Sequence, residues 1–357
     1  MLLALSIDAY KFGSVSLGIP DYQELVKGTS NIHSQVIQDV GRRLYKAFQN
    51  FFRRVKSKEA KKGFPRFKSR VNSITYPQRG FKFISNKHIK VSKIGNLPII
   101  LHRVPKGKIK TFTIKQTKTD KWFAMFACEL PDTQVKHPSA EKVGIDVGIE
   151  NFATLSNGES IANPHHLIKS ESRLKLLHRR VSRKVKGSRN RVKARFRLAK
   201  LYERIANQRS DFLHKSSHRL AKAYSFIAIE ELNINGMMQN HILAKHIGDA
   251  GWGTFISFLK YKAVRSGGSC VENPHTRGSS HRCSKCGAWN EITLSQRTFH
   301  CCSCSFVCHR DLNASINHLN DTVGLTGIST PVETLPLPSL SDKASDVVEA
   351  GTINDIV

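Results

Sequence analysis

The sequence predicts an α/β protein in which a small β-rich module precedes a mixed core interrupted by a cysteine knuckle. Three observations predict it. Short β-branched and aromatic runs crowd residues 80–130 with no helical period between them. From residue 142 onward, apolar strand-like runs alternate with long amphipathic stretches, the pattern of a sheet covered by helices. Six of the eight cysteines then fall within 26 positions, Cys283 to Cys308, just before a last helix-like run. A chain of 357 residues has room for two or three domains and at least one sizeable core.

Each element follows from local pattern. Val36, Val40, Leu44, Phe48, Phe51 and Val55 recur three or four apart, which predicts a helix over 34–56 with one buried stripe, a basic back and a partner helix. The Gly-Phe-Pro of "KKGFPRFKSR" ends it, and residues 1–72 form an N-terminal helical region. "GFKFI", "HIKVSKI", "LPIILH", "IKTFTIKQT" and "WFAMFACEL" read as strands of a small barrel or sheet module, 73–138. In 139–270, "EKVGIDVGIENFATLSNG" is a strand running into a hairpin partner. Lys169 to Lys222 holds 19 Lys and Arg against Glu171, Glu203 and Asp211. Leu174, Leu177 and Val181, then Ala194, Leu198, Leu201 and Ile205, form two stripes joined by "KGSRN", so a basic helical hairpin is expected. "AYSFIAIEELN" reads as a buried parallel strand ending in Glu230, and "DAGWGTFISFLKYKAVRSGG" as an amphipathic helix. A cysteine ribbon occupies 271–308 and a short helical motif 309–320. Residues 321–357, acidic and rich in Pro, Ser and Thr, read as a disordered tail.

Charge narrows the partners. Lys and Arg total 57 against 27 Asp and Glu, a net +30 that a folded chain carries most readily against a polyanion. Nucleic acid fits better than a membrane surface, because the charge is spread along the chain rather than gathered in one anchor. No run approaches the roughly 20 apolar residues of a membrane span. "MLLAL" is too short for a secretory core, and the clustered cysteines favour metal over disulfides, so a cytoplasmic, nucleoid-associated location is expected.

Cys283-x-x-Cys286 and Cys301-x-x-Cys304 enclose 14 residues. Two residues between thiolates let one tight turn present both sulfurs to a tetrahedral ion, so structural Zn2+ is expected on these four, with "TLSQRTFH" supplying a strand. Cys302, Cys308, His300 and His309 are other donors nearby, and an iron–sulfur cluster or free thiols are the alternatives.

Three acids stand out by placement. Asp146 lies on a Gly-flanked strand, Glu230 ends an apolar strand, and Asp311 opens a helix carrying Leu312, Ile316 and Leu319. Any one of them alone is more often a solvated cap or a partner of the helix dipole. Together in so basic a chain they match phosphodiester cleavage, which needs several carboxylates converging on hard divalent ions such as Mg2+.

With these residues in view, the sequence resembles the TnpB family, RNA-guided nucleases of insertion sequences, long classed as transposases and related to type V CRISPR effectors. "GIDVGIENFATLSNG", "RIANQRSDFLHK", "IAIEELN", "GDAGWGTF", "SSHRCSKCG" and "HRDLNAS" carry the resemblance, in family order, across about residues 34–320. It implies a RuvC-like, RNase H-type core with an inserted zinc ribbon, preceded by a barrel-like (wedge) module and recognition helices. It further implies Asp146, Glu230 and Asp311 as catalytic acids, Cys283, Cys286, Cys301 and Cys304 as zinc ligands, a guide RNA from the transposon end, and a DNA target read by base pairing. The chain departs from the family pattern in a shortened N-terminus and in His309, which stands where the family motif has its first Asp. Two alternatives to cleavage follow, a catalytically silent RNA-guided DNA-binding regulator and a truncated, inactive transposase remnant. Direct transposition is a third, and no HUH motif with a tyrosine nucleophile supports it.

Overall fold

The helical period of residues 34–56 forms α1 (Ser34–Lys56), opened by His33, whose Nδ1 accepts from the Gln35 N–H. This computed structural model describes residues 31–58, 63–66, 71–131, 135–274, 278–293, 295–326 and 347–353. The opening "MLLALSIDAYKFGSV" therefore lies outside the described residues. The expected stripe of α1 is only half covered: Gly41 is its sole buried residue, while Val40 and Val55 are exposed. Among the described residues it packs on a strand. Val36 joins the core of the strands that follow, and Arg43 donates to Ser73 and Thr75 of β1 (Ser73–Tyr76).

The β-like runs fold as expected into β2 (Phe81–Ser85), β3 (His88–Val91), β4 (Gly95–Pro98), β5 (Ile100–Leu101), β6 (Lys108–Gln116) and β7 (Trp122–Glu129). They make two antiparallel sheets, β2-β3-β4 and one containing β1-β6-β7. Alternation buries Phe112, Ile114, Ala124 and Phe126 from one sheet against Ile89, Val91 and Leu97 from the other. Phe112 and Phe126 stack with ring centroids 5.0 Å apart.

The second unit, Thr133–Leu335, is built on a five-stranded sheet. Its elements are β8 (Lys142–Val147), β9 (Asn151–Leu155), β10 (Ser160–Ala162), α2 (His166–Lys169), α3 (Glu171–Ser182), α4 (Arg189–Ala223), β11 (Phe226–Glu230), α5 (Ile234–Met237), α6 (Ala244–Ala250), α7 (Trp252–Arg265) and β12 (Ser269–Asn273). A two-stranded ribbon, β13 (Thr298–His300) and β14 (Val307–His309), precedes α8 (Arg310–Thr326). The strand order is β10-β9-β8-β11-β12, with β10, β9 and β8 antiparallel and β8, β11 and β12 parallel. The basic stretch folds as the expected hairpin of α3 and α4, turned by residues 183–188.

The period-two alternation of β8 and β11 decides which face each residue serves. Val143, Ile145 and Val147 with Ile227 and Ile229 enter an apolar core closed by Leu213 and Leu220 of α4 and Phe255 and Leu259 of α7. Phe152 and Phe255 meet edge to face there, 4.8 Å apart. Gly144, Asp146, Ala228 and Glu230 consequently point to the other face, which α8 covers.

The tail differs from its expected disorder from residue 321. Helix α8 continues to Thr326, and β15 (Val347–Ile353) pairs antiparallel with β7 and β5 in the first unit. Val347, Val348 and Ile353 give this segment the β-branched content that the overall acidic composition obscures. Residues 327–346 and 354–357 lie outside the described residues. Among the described residues no helix is long and apolar enough to cross a membrane.

Candidate active site and cysteine knuckle

Strands β8 and β11 run parallel with Ile145 opposite Ile229, so the next residues, Asp146 and Glu230, lie at or next to the ends of neighbouring strands on the same face. Residue 144 explains what lies over them. A Cβ at Gly144 would stand 1.9 Å from the Ser315 carbonyl oxygen, so only glycine lets α8 approach this closely. The approach brings His318 Nε2 to 3.6 Å from Asp146 Oδ1. One donor atom each from Asp146, Glu230 and His318 lies within 4.8 Å of the others, a spacing that could hold a metal ion. His318 is fully buried, and its Nε2 has no hydrogen-bond partner.

The expected trio is thus brought together in part. Asp311 lies outside this group, two helical turns before His318 on the same side of α8. Its Oδ1 is 3.4 Å from Arg310 Nε and its Oδ2 3.9 Å from His309 Nδ1. It is near enough for its charge to act on Asp146.

Electrostatics couple the two acids. Burial pushes the Asp146 carboxyl above the usual range; His318 opposes this, Asp311 adds to it, and Arg310 opposes it. Burial also raises Glu230, to about 7, with the Asp146 charge adding and His318 opposing. Two carboxylates in one enclosed place resist joint ionisation, and a divalent cation between them reverses that penalty.

The cysteines meet as the spacing predicts. Cys283 and Cys304 sulfurs lie 3.7 Å apart, those of Cys286 and Cys301 3.5 Å, and all four fall within one group of donors. Sulfurs bound tetrahedrally at about 2.3 Å would be separated by about 3.8 Å, so the four can hold a metal ion of zinc's size. Backbone N–H groups, led by that of Cys304, bring the Cys301 thiol down to about 6, which favours a thiolate. Cys308 packs against this cluster from the side, Cys302 is exposed, and neither belongs to the four.

The residues that sequence reasoning missed lie on α8. Its expected apolar face, Leu312, Ile316 and Leu319, is only half buried, whereas Asn313, Ser315, Asn317, His318 and Thr322 are buried throughout. The polar face is inside because it ties the knuckle down. Asn313 Nδ2 and Asn317 Nδ2 each donate to the Arg282 carbonyl at 2.7 Å, Asn317 also to that of Ser279 at 2.8 Å, and Asn313 Oδ1 accepts from Ser284 N–H at 2.9 Å. A signal existed: asparagine at two positions one turn apart inside a helix is unfavourable unless bonded elsewhere.

The hairpin adds a basic concavity of about 220 Å³, lined by Lys169, Ser170, Arg173, Leu201, Arg204 and Gln208. On α4, Lys215 pairs with Asp211, Arg219 with Glu159 and Arg209 with Asp249, while Lys and Arg far outnumber Asp and Glu along the hairpin.

Paired acids near strand ends share their unit with a strongly basic hairpin, a combination suited to phosphate-bearing polymers. Known proteins place it further. The family model OrfB_IS605, described as "Probable transposase", matches residues 125–241, and the Cas12f1-like TNB domain matches 252–318. A Streptomyces pristinaespiralis protein named "Putative RNA-guided DNA endonuclease" is 36% identical over 297 residues, 81% of this chain and 72% of its own. Escherichia coli K12 "Putative RNA-guided DNA endonuclease InsQ" is 32% identical over 80% of this chain and 74% of its own. The chain belongs to this TnpB (OrfB) family of insertion-sequence proteins. A chain from a cryo-EM structure of a Cas12f1–sgRNA–target DNA complex aligns over 89% of this chain and 86% of its own, at 17% identity and a TM-score of 0.39, too loosely to bear on the argument.

Proposed function

We propose that the chain is a transposon-encoded RNA-guided DNA endonuclease that cleaves phosphodiesters at a single RuvC-like site. The observation that carries the reading is the meeting of Asp146 and Glu230 on one face of the sheet with both carboxyls held above their ordinary range. Residues 139–270 and 309–320 would form the RNase H-type core, 271–308 the zinc ribbon, and 73–138 the wedge module. Cys283, Cys286, Cys301 and Cys304 would hold Zn2+, closed to substrate because all four positions are protein. Asp146 and Glu230, with Asp311 beside them, would hold Mg2+, whose oxygen preference their carboxylates meet. Bound divalent cations supply an activated water and neutralise charge at the scissile phosphate. The chain's own part is to keep both acids on one rigid face, to exclude bulk water beneath α8, and to draw guide RNA and target DNA along the basic hairpin.

Purified with RNA from its transposon end and given Mg2+, the protein should cut a matching duplex, and Asp146→Ala should abolish cutting. Undiminished cleavage by that variant would remove the assignment. The contacts of Arg310 and His309 with Asp311 favour one second reading, a silent RNA-guided DNA-binding regulator. Guide-dependent binding without cutting by the unaltered chain would select it.

A further inference from the structure

A line of polar side chains, buried at Asn273 and His318, runs from the knuckle to Asp146. Arg282, next to Cys283, places Nη2 2.5 Å from Asp321 Oδ1; Asp321 Oδ2 accepts from Asn273 Nδ2 at 3.3 Å; and the same Nδ2 lies 3.3 Å from His318 Nδ1. Asn273 sits on β12 opposite Glu230, which puts this line on the face that carries the acids. The hydrogen positions follow from chemistry. A carboxylate only accepts, so the atom of Asn273 facing Asp321 is the amide nitrogen, and its second hydrogen is directed at His318 Nδ1. Nδ1 therefore accepts, and the ring hydrogen sits on Nε2, the atom that faces Asp146. Thr322, donating to the His318 carbonyl at 2.6 Å, completes the seating of this turn of α8.

We propose that His318 is a positioning residue: its Nε2–H holds Asp146 in the orientation that receives a divalent cation, and Asn273, Asp321 and Arg282 fix the ring for that task. The buried, unpartnered Nε2 is the independent sign of this role, since such a group is rarely left without purpose. At 3.6 Å the contact is one short step from a hydrogen bond, and rotation of the Asp146 carboxylate on taking up a cation would close it. The tautomer argues against His318 as a ligand, because a protonated nitrogen has no lone pair for a metal. The inference rests on the proposed nuclease reading, which assigns Asp146 to the cation.

The test is Mn2+ binding by the full-length, zinc-loaded chain, followed by titration and by pulsed EPR. His318→Leu should weaken Mn2+ about 10-fold, the usual effect of losing an orienting partner. His318→Gln, whose amide N–H replaces Nε2–H, should recover most of the loss, and Asp321→Ala should weaken binding by less than the direct change. Unchanged affinity in His318→Leu would overturn the proposal. So would an imidazole nitrogen coupled to Mn2+ in the unaltered protein, a measurement that needs no variant to fold. Mn2+ binding that survives Asp146→Ala would instead remove the underlying reading of the site.

Discussion

The cysteine knuckle and the carboxylate pair are both places where donor atoms converge, yet they are built in opposite ways. In the knuckle each half is a tight turn of four residues, so two of the four donors are brought together by local geometry alone. The carboxylates stand on strands separated by the whole basic hairpin, and meet only because β8 and β11 pair in one register and α8 closes over Gly144. Local sites tolerate change elsewhere in the fold, whereas assembled sites depend on packing far from their ligands. The polar face of α8 joins the two, holding the knuckle with Asn313 and Asn317 and reaching the acids with His318.

The largest expected effect tests that joint. Stripping the metal with a chelator, or replacing Cys301 with Ser, should unfold the ribbon, since a structural zinc contributes on the order of 10 kcal/mol to such small folds. Zinc content and circular dichroism follow the loss. If the ribbon and the acids are coupled through α8, Mn2+ affinity should fall with it; independence of the two would break the comparison.

Next comes Gly144→Val, which leaves every ligand in place. The added side chain meets backbone of α8, which cannot move as a flexible side chain would, so a loss of about 3 kcal/mol is expected in urea unfolding. Ordinary stability in this variant would show that α8 does not seat as described.

A pH series sharpens the electrostatic side. Glu230 is raised from 4.5 to about 7 in the folded protein, so between those values the unfolded chain holds fewer protons and stability falls as pH rises. That contribution is fully present below about 4.5 and gone above about 7, worth about 2 kcal/mol after allowing for partial exposure. Thermal melts of the cation-free protein should show this slope, Glu230→Gln should flatten it, and added Mg2+ should stabilise more at pH 7.5 than at pH 5.

The smallest effect is Asn317→Ala. It removes two hydrogen bonds of a buried side chain whose acceptors Asn313 still reaches, so a loss of about 1–2 kcal/mol is expected by denaturant titration, with zinc retained.

Much of this was legible in the residues themselves. The helix over 34–56, the strands of the first module, the Glu230 strand and the basic hairpin follow from spacing of apolar side chains, because period sets backbone type wherever one face is buried. The four cysteines could be read for the same reason, since their chemistry is local. What the sequence alone could not supply was the partner of α1, the strand at Val347–Ile353, the position of Asp311 outside the donor group, and the buried polar face of α8. Hydrophobic pattern assumes that polar side chains face water. Asn313, Asn317 and His318 are inside because their hydrogen-bonding and electrostatic neighbours come from distant segments, and only the folded chain brings those segments within reach.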